Sequence, residues 1–138
     1  AQAALIEDAI RLARTEHWRR ETLSAHGEQL AQGLRDWLET TSTFEPHVGN
    51  RQPFPQLLAT PSPIKPLIIG DLAALQQVNQ AMMKAHIRVG AIRPPTIPAN
   101  TARLRISLSA QHQKTDITAL IEALKPVLAS DKACEVTP

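Results

Sequence analysis

The chain has 138 residues and a formal net charge of +2, from 15 Lys and Arg against 13 Asp and Glu. This length predicts one domain with one core, and the balanced charge argues against an electrostatic nucleic-acid-binding protein. Aromatic residues make up only 3%, too few for platforms that stack on single-stranded nucleic acid. The lone cysteine, Cys134, excludes an intrachain disulfide and a cysteine-rich zinc module. With no apolar run of membrane-spanning length and no visible secretory leader, we predict a soluble, cytoplasmic protein.

The first 40 residues carry the spacing of two amphipathic helices. Apolar residues three and four apart form one stripe: Leu5, Ile6, Ala9, Ile10 and Ala13. The chain begins with Ala1 and no capping residue precedes this stripe, which suggests a chain cut from something longer, although a frayed terminus would look the same. A second helix is predicted from about residue 16 to 40, with Leu30 and Leu34 on its apolar side.

Residues 42–63 lose this periodicity and carry five of the eleven prolines. Because proline removes a donor and fixes φ, we predict a long connection with at most short edge strands. A strand follows over 64–69, where Pro66 favours an edge position or a bulge. Asp71 is a good N-cap for the next helix. The buried face of that helix is predicted to carry Leu72, Leu75, Val78 and Met82.

The last third of the chain predicts two more strands and a helix. Residues 88–92 form the first strand, and Arg93 to Pro98 form a rigid, extended turn with three prolines. Residues 102–108 alternate apolar and polar side chains, the pattern of a half-buried strand. Pro126 is expected to kink or end the final helix. The fold class predicted is α+β, a small, mostly antiparallel sheet with amphipathic helices on one face and solvent or another domain on the other.

The strongest signal for chemistry is a pair of arginines on one face of the last strand. Arg103 and Arg105 are two residues apart, so both guanidinium groups leave the same side, beside a turn that carries Arg93. Planar guanidinium forks match carboxylates and phosphates. From the residues alone, exposed strand arginines that pair with nearby acids remain the commoner situation.

Other kinds of site have little support. The five histidines show no spacing typical of a metal site, and no cysteine joins them. A nucleophile elbow and a glycine-rich phosphate loop are both missing. None of the five lysines lies in the Ser-, Thr- or Gly-rich context of a lysine that forms a Schiff base with a cofactor. As an enzyme on its own, the chain looks incomplete.

Two segments resemble a known enzyme family. Residues 62–71 read SPIKPLIIGD, and residues 90–117 read GAIRPPTIPANTARLRISLSAQHQKTDI. These resemble the C-terminal small domain of the 8-amino-7-oxononanoate synthases, which belong to the α-oxoamine synthases within the fold-type-I pyridoxal-phosphate (PLP) enzymes. The resemblance covers roughly residues 16–128 and is strong after Pro63. It implies a small domain over 16–138 that contains the 42–63 connection, with residues 1–15 ending a helix from a missing large domain.

The resemblance also implies an activity and its residues. Such enzymes are cytoplasmic homodimers that condense L-alanine with a pimeloyl thioester of coenzyme A or acyl carrier protein, releasing CO2, in biotin biosynthesis. Arg105 would hold the carboxylate of alanine, Thr96 would line the acyl side of the pocket, and Arg93 would approach the anionic acyl substrate. The PLP lysine and the other cofactor-binding residues would lie in the large domain, so this chain alone should be inactive. The pattern departs from the family at Gln113, after His112, and at Asn100, where a glycine is usual.

Three alternatives stay open. The chain could belong to another α-oxoamine synthase, such as a glycine C-acetyltransferase. It could be a separate α+β module that binds a small carboxylate through Arg103 and Arg105. It could also be an assembly domain whose second helix pairs with a partner through Leu30 and Leu34.

Overall fold

A computed structural model describes residues 2–41 and 55–130. Over this part of the chain the elements are α1 (Gln2–Thr15), α2 (His17–Thr41), β1 (Gln56–Leu57), β2 (Ile64–Gly70), α3 (Leu72–Lys84), β3 (Gly90–Ile92), β4 (Ala102–Ser107) and α4 (Lys114–Ser130). Most of the predicted connection over 42–63 lies outside the described residues. Its described end contains β1, one of the short strands that the prolines allowed.

The four strands form one antiparallel sheet in the order β1-β2-β4-β3. The longest pairing joins β2 to β4, with Leu67 opposite Leu104 and Pro66 opposite Arg105. The edge strand β3 pairs with β4, so Gly90 lies opposite Arg105 and Ile92 opposite Arg103. The predicted fold class, α+β with a small antiparallel sheet, is confirmed.

The core lies between one face of the sheet and the helices α2, α3 and α4. Leu67 and Leu104 are fully buried there, and burying apolar side chains of this size is the main force that holds the layers together. Leu30 and Leu34 of α2 join the same core with 0% and 1% exposure. The hypothesis that these two leucines pair α2 with a partner is therefore wrong, because the chain's own core already covers them.

Helix α3 begins as predicted but buries a different set of residues. The Asp71 carboxylate accepts a hydrogen bond of 2.9 Å from the backbone N–H of Ala74, which caps the first turn. Leu72, predicted to be buried, is 43% exposed. The buried residues are Ala74, Leu75, Val78 and Met82. At 3.6 residues per turn these four span about 100° of the helix circumference, and Leu72 lies about 110° from the centre of that arc.

Pro66 was predicted to mark an edge position or a bulge. Its strand has neighbours on both sides, so the edge position is wrong, but the register between β2 and β4 does shift further along the same strand, between Ile68 and Gly70. The Pro66 carbonyl accepts a hydrogen bond of 2.9 Å from the N–H of Leu58, on the side of β1. The nitrogen of a strand residue faces the same side as its carbonyl. Proline has no N–H, so the hydrogen bond that this position cannot donate would have pointed toward β1. Strand β1 pairs only with Leu67 and Ile68. The pairing with β4 keeps its hydrogen bonds.

Two other proline predictions also need correction. The segment from Arg93 to Pro98 is a closed turn, not an extended one, because the N–H of Thr96 donates to the carbonyl of Arg93 at 3.2 Å. The Pro94–Pro95 peptide bond within it is cis. Of the two alternatives for Pro126, that it ends the last helix is wrong, since α4 continues to Ser130, and the kink stays a prediction. Pro126 is exposed, so water can reach the carbonyl that has lost its helical donor.

Helix α1 has the predicted amphipathic stripe, but within the described residues nothing covers it. Leu5 is 70% exposed, Ile6 59% and Ile10 49%. None of the helices in the described ranges combines the length and the hydropathy that crossing a membrane requires.

Candidate functional site

The two arginines of β4 lie on the sheet face opposite to the core, as the alternation predicts. Ala102, Leu104 and Ile106 are at most 2% exposed beneath the helices. Arg103 and Arg105 leave the other side, where Arg105 is exposed and Arg103 half-buried. We call this side of the sheet the open face. Its other members, by register, are Gln56, Ile64, Pro66, Ile68, Gly90, Ile92 and Ser107.

Arg105 lies across a glycine of the edge strand. A Cβ atom built on Gly90 would meet the Cβ of Arg105 at 3.4 Å and its Nε at 3.5 Å. The Arg105 side chain therefore runs over the backbone of Gly90, where any larger residue would compete with it for space. A glycine within a strand is a signal for such a close approach. The sequence predicts a strand at Gly90 but does not predict this contact with Arg105.

Arg103 is held more tightly than Arg105. Its Nε donates a hydrogen bond of 3.1 Å to the carbonyl of Thr101, just before β4 begins. By register its cross-strand neighbours are Ile68 and Ile92, two apolar side chains that flank its aliphatic stem. Arg105 has no such tie within the described residues, so its guanidinium is available to a ligand.

No acidic side chain among the described residues forms an ion pair with Arg93, Arg103 or Arg105. The only acid between residues 55 and 115 is Asp71, whose carboxylate caps α3. The commoner situation, strand arginines neutralised by a nearby acid, is therefore not found within residues 2–41 and 55–130. Cations without internal partners attract an anion from outside the chain.

The turn after β3 holds the other two predicted site residues. Arg93 and Thr96 are both exposed, and the hydrogen bond that closes the turn joins their backbones. The turn is followed by Asn100, which has a φ of 59°. Asn100 thus adopts the left-handed conformation, for which the family that the sequence resembles usually has a glycine at this position.

The structure brings the four candidate residues to one end of the sheet without clustering them. Ile92 pairs with Arg103, so Arg93 lies just beyond that pair. Arg105 is opposite Gly90, three residues earlier in β3, which is about 10 Å away along the strand. An elongated ligand would be needed to reach both Arg105 and the turn.

The described lysines do not fit the covalent site of PLP. Such a site needs a lysine amine in a pocket that also holds the cofactor's phosphate and ring. The Lys65 Nζ donates to the carbonyl of Thr60, and the Lys125 Nζ pairs with Glu122 at 2.8 Å. Lys84 and Lys114 are exposed at the ends of helices. Within the described ranges there is also no group of three or more potential metal ligands.

A cavity of about 990 Å³ lies on the other side of the sheet, between α2 and residues 55–65. Leu23 and Gly27 of α2 line it, opposite Leu58 and Lys65. None of the candidate arginines reaches it. Pro55, the first described residue after the gap at 42–54, forms part of its wall. Because its wall borders the gap and contains none of these arginines, we assign the cavity no function.

One buried contact ties α2 to the loop that follows β4. His26 is 4% exposed, and its Nε2 donates a hydrogen bond of 2.8 Å to the carbonyl of His112. The Nδ1 of His112 in turn accepts from the N–H of Ser109 at 3.2 Å. Helix α4 then starts with the Asp116 carboxylate accepting from the N–H of Gln113. The sequence carried no signal for the contact of His26, because its partner is 86 residues away.

Comparison with known proteins identifies the family to which this α+β fold belongs. The model for aminotransferases of class I and II matches residues 1–124. The chain belongs to this family.

More specific relatives come from comparison with curated proteins. The chain is 40% identical over 124 residues to the 8-amino-7-oxononanoate synthase of Halorhodospira halophila, which covers 90% of this chain and 28% of that protein. It is 38% identical over 130 residues to the 8-amino-7-oxononanoate synthase of Pseudomonas savastanoi, covering 92% of this chain and 29% of the relative. The chain thus spans less than a third of the length of these relatives.

A solved structure confirms the fold relationship. The chain matches serine palmitoyltransferase from S. paucimobilis, solved with a PLP–myriocin aldimine, with a TM-score of 0.67 at 24% identity. The match covers 91% of this chain and 27% of that protein. The predicted resemblance to fold-type-I PLP enzymes, and to 8-amino-7-oxononanoate synthases in particular, is confirmed.

Proposed function

We propose that this chain is the C-terminal small domain of an 8-amino-7-oxononanoate synthase, a PLP-dependent acyltransferase of biotin synthesis. In this proposal residues 1–15 end a helix that comes from a large domain, and residues 16–138 form the small domain. PLP and the bond-making chemistry belong to the large domain, since no described lysine fits the cofactor. The complete enzyme is a homodimer, the isolated chain is inactive, and its cytoplasmic location stays a prediction from composition.

The observation that carries this proposal is the exposed Arg105, which no described acid neutralises. Arg105 binds the carboxylate of L-alanine through two parallel N–H···O bonds, which fix the orientation of the amino acid as well as its position. Orientation of a reacting group accounts for a large share of enzymatic rate. The open face, with its apolar Pro66 and Ile68, lies against the large domain and keeps water from this ion pair.

The turn after β3 takes the other substrate. Thr96 lines the acyl side of the pocket, and Arg93 approaches the anionic end of the pimeloyl thioester. The separation of about 10 Å between the turn and Arg105 suits two substrates that meet between them. The thioester is carried by coenzyme A or by acyl carrier protein.

The test uses Arg105→Ala in the complete enzyme, with Arg103→Ala as the matched control on the same strand face. Removing one partner of a desolvated charge pair costs about 3–4 kcal/mol, so kcat/KM for L-alanine should fall about 100- to 1,000-fold. The KM for the thioester and the absorbance of bound PLP should not change. Arg103→Ala, which removes an arginine tied to Thr101, should lower kcat/KM for alanine less than about 10-fold.

Three results would count against the proposal. An Arg105→Ala enzyme with unchanged dependence on alanine would remove the assigned role. A Schiff-base absorbance band from the 138-residue chain mixed with PLP would show that the cofactor site lies in this chain. Appreciable calorimetric affinity of the chain alone for alanine, without any cofactor, would favour the alternative of a separate carboxylate-binding module.

A further inference from the structure

Two unusual strand residues flank Arg105 on the open face of the sheet. In the cross-strand row that contains Arg105, Pro66 of β2 lies on one side and Gly90 of β3 on the other. Proline and glycine are both uncommon inside strands, because proline lacks the N–H donor and glycine has no side chain to pack. One of them places a ring beside Arg105, and the other leaves bare backbone. Both therefore bear on where the Arg105 side chain can lie.

Pro66 and Arg105 form the closer of the two kinds of antiparallel pair. The carbonyl of Pro66 accepts from the N–H of Leu58, on the side of β1, so the backbone of Pro66 makes no hydrogen bond to Arg105. Three residues earlier, the N–H of Leu108 donates to the carbonyl of Pro63 at 3.0 Å, as the alternation of the two kinds of pair requires. In a pair without hydrogen bonds the Cα atoms are about 4.5 Å apart and the side chains are closer. The half-buried ring of Pro66 therefore occupies the space beside Arg105 on the side of β2.

The Arg105 side chain lies on the other side, over β3. A Cβ atom on Gly90 would be 3.4 Å from the Cβ of Arg105, whereas opposite residues that both carry side chains keep their Cβ atoms about 4.5–5.5 Å apart. The same Cβ position would be 3.5 Å from the Nε of Arg105, so the far part of the side chain also lies above Gly90. The space that Arg105 occupies is the space that glycine leaves empty.

Arg103, the other arginine of β4, is held in a different way. It lies between Ile68 and Ile92, so its two neighbours on the open face are of equal size and favour neither side. Its direction follows instead from the hydrogen bond of 3.1 Å between its Nε and the carbonyl of Thr101. Within the described residues Arg105 has no hydrogen bond of this kind, so the unequal size of its neighbours determines its direction.

Proline is well suited to direct a neighbouring side chain because its own side chain cannot turn away. The ring is bonded to the backbone nitrogen, which fixes φ and leaves no freely rotating χ1. Arginine has a long side chain with many rotamers, and ordering such a side chain during binding lowers the affinity. A fixed ring beside Arg105 excludes part of these rotamers before any ligand arrives.

We propose that Pro66 is a positioning residue for Arg105, whose side chain it keeps over Gly90, so that the guanidinium is directed before a carboxylate binds. This inference rests on the proposed function, in which that carboxylate belongs to L-alanine. It goes further because it assigns a task to a residue that itself binds no substrate. Alanine then meets an arginine that has already lost part of its freedom, which strengthens binding without any new contact.

The first experiment measures the motion of Arg105 in the 138-residue chain without substrate. NMR relaxation of the arginine Nε–H groups gives an order parameter for each of these side chains. Pro66→Ala removes the ring, so the order parameter of Arg105 should fall by about 0.2 or more. Pro66→Val keeps a branched, stiff side chain at this position and should restore most of that loss. Arg103 is the internal control and should not change, because its hydrogen bond to Thr101 stays in place.

Two results of this experiment would overturn the proposal. The first is an order parameter of Arg105 that is the same in the native chain and in Pro66→Ala. The second is an equal fall in the alanine and valine variants, which would show that the bulk of the side chain at position 66 does not direct Arg105. Circular dichroism verifies that all three chains are folded.

The second experiment measures kinetics in the complete enzyme. Pro66→Ala should raise the KM for L-alanine about 3- to 10-fold, the effect expected when a long side chain must be ordered during binding. The kcat and the KM for the thioester should change less than about 2-fold, and Pro66→Val should behave like the native enzyme. The matched control is Ile64→Ala, which removes an apolar side chain from the same face of β2, opposite Ser107, and should leave the KM for alanine within about 2-fold.

A double variant separates positioning from a general loss of structure. In an Arg105→Ala enzyme, adding Pro66→Ala should cause no further loss in kcat/KM for alanine, because the effect of Pro66 passes through Arg105. Additive losses would show that Pro66 acts independently of Arg105 and would refute its positioning role. If Arg105→Ala itself leaves the dependence on alanine unchanged, the proposed function fails, while the NMR experiment still decides whether Pro66 directs Arg105.

Discussion

The two faces of the sheet differ in burial and in charge, although β4 contributes side chains to both. On the helix-covered face, β4 contributes Leu104 at 0% exposure and Ile106 at 2%. On the open face, the same strand contributes Arg103 and Arg105, which have no described acidic partner. Neighbouring residues therefore have separate tasks, since side chains alternate between faces along a strand. One face determines stability, and the other is available for binding.

The largest expected effect on stability contrasts two adjacent residues. Leu104→Ala removes buried methyl groups at the centre of the core and should lower the free energy of unfolding by about 2–5 kcal/mol. Arg105→Ala, one residue further, should change it by less than about 0.5 kcal/mol, because the side chain is exposed and no described acid pairs with it. Urea denaturation of both variants measures the difference. Similar losses in the free energy of unfolding for the two variants would show that both faces contribute equally to stability.

A smaller effect is expected where α2 meets α4 within the covered layer. A Cβ atom on Gly33 would lie 2.7 Å from the Cδ1 of Ile121, so this glycine sets how closely the helices approach. Gly33→Val should lower the free energy of unfolding by about 1–3 kcal/mol through overpacking. Gly33→Ala should be nearly neutral, because the flexible end of Ile121 can move and alanine favours a helix by about 1 kcal/mol. Thermal unfolding of the pair checks this, and a stabilised valine variant would contradict it.

The sequence was sufficient to predict most of the fold, because the fold rests on local patterns. Alternation in β4 predicted which residues are buried, and Asp71 predicted the start of α3. The wrong predictions share one cause: they concern properties that depend on neighbours distant in the sequence. Pro66 was judged without knowing which side of β2 lacks a full partner. The burial of Leu72 was predicted from its spacing to Leu75, but the spacing does not tell where the centre of the buried arc of α3 lies.

The candidate site was predictable in its members but not in its geometry. The spacing of Arg103 and Arg105 predicted a shared side, and the structure confirms it. The roles of Arg93, Thr96 and Arg105 came from family resemblance and stay predictions. The approach of Arg105 to Gly90 depends on the register between β3 and β4, which no local pattern specifies.

The capping contact of α3 offers a test of intermediate size on the covered side. Asp71→Ala removes the carboxylate that accepts from the N–H of Ala74. The free energy of unfolding should fall by about 1 kcal/mol, the usual effect of losing such a cap. Asp71→Ser, which keeps an acceptor at this position, should restore most of the loss. Equal losses for both variants in urea denaturation would show that the capping hydrogen bond is not the source of the stability.

The smallest expected effect comes from an apolar residue on the open face. Ile64 is 41% exposed and lies opposite Ser107, at the end of the pairing between β2 and β4. Ile64→Thr keeps the branched shape that strands favour, so the 138-residue chain should change in stability by less than about 0.5 kcal/mol. Covering this face with another domain would turn the same substitution into a buried polar group and raise the loss to about 1–3 kcal/mol. Denaturation of the chain alone and of the complete enzyme therefore reports whether the large domain covers the open face, and equal small losses in both would show that it does not extend to Ile64.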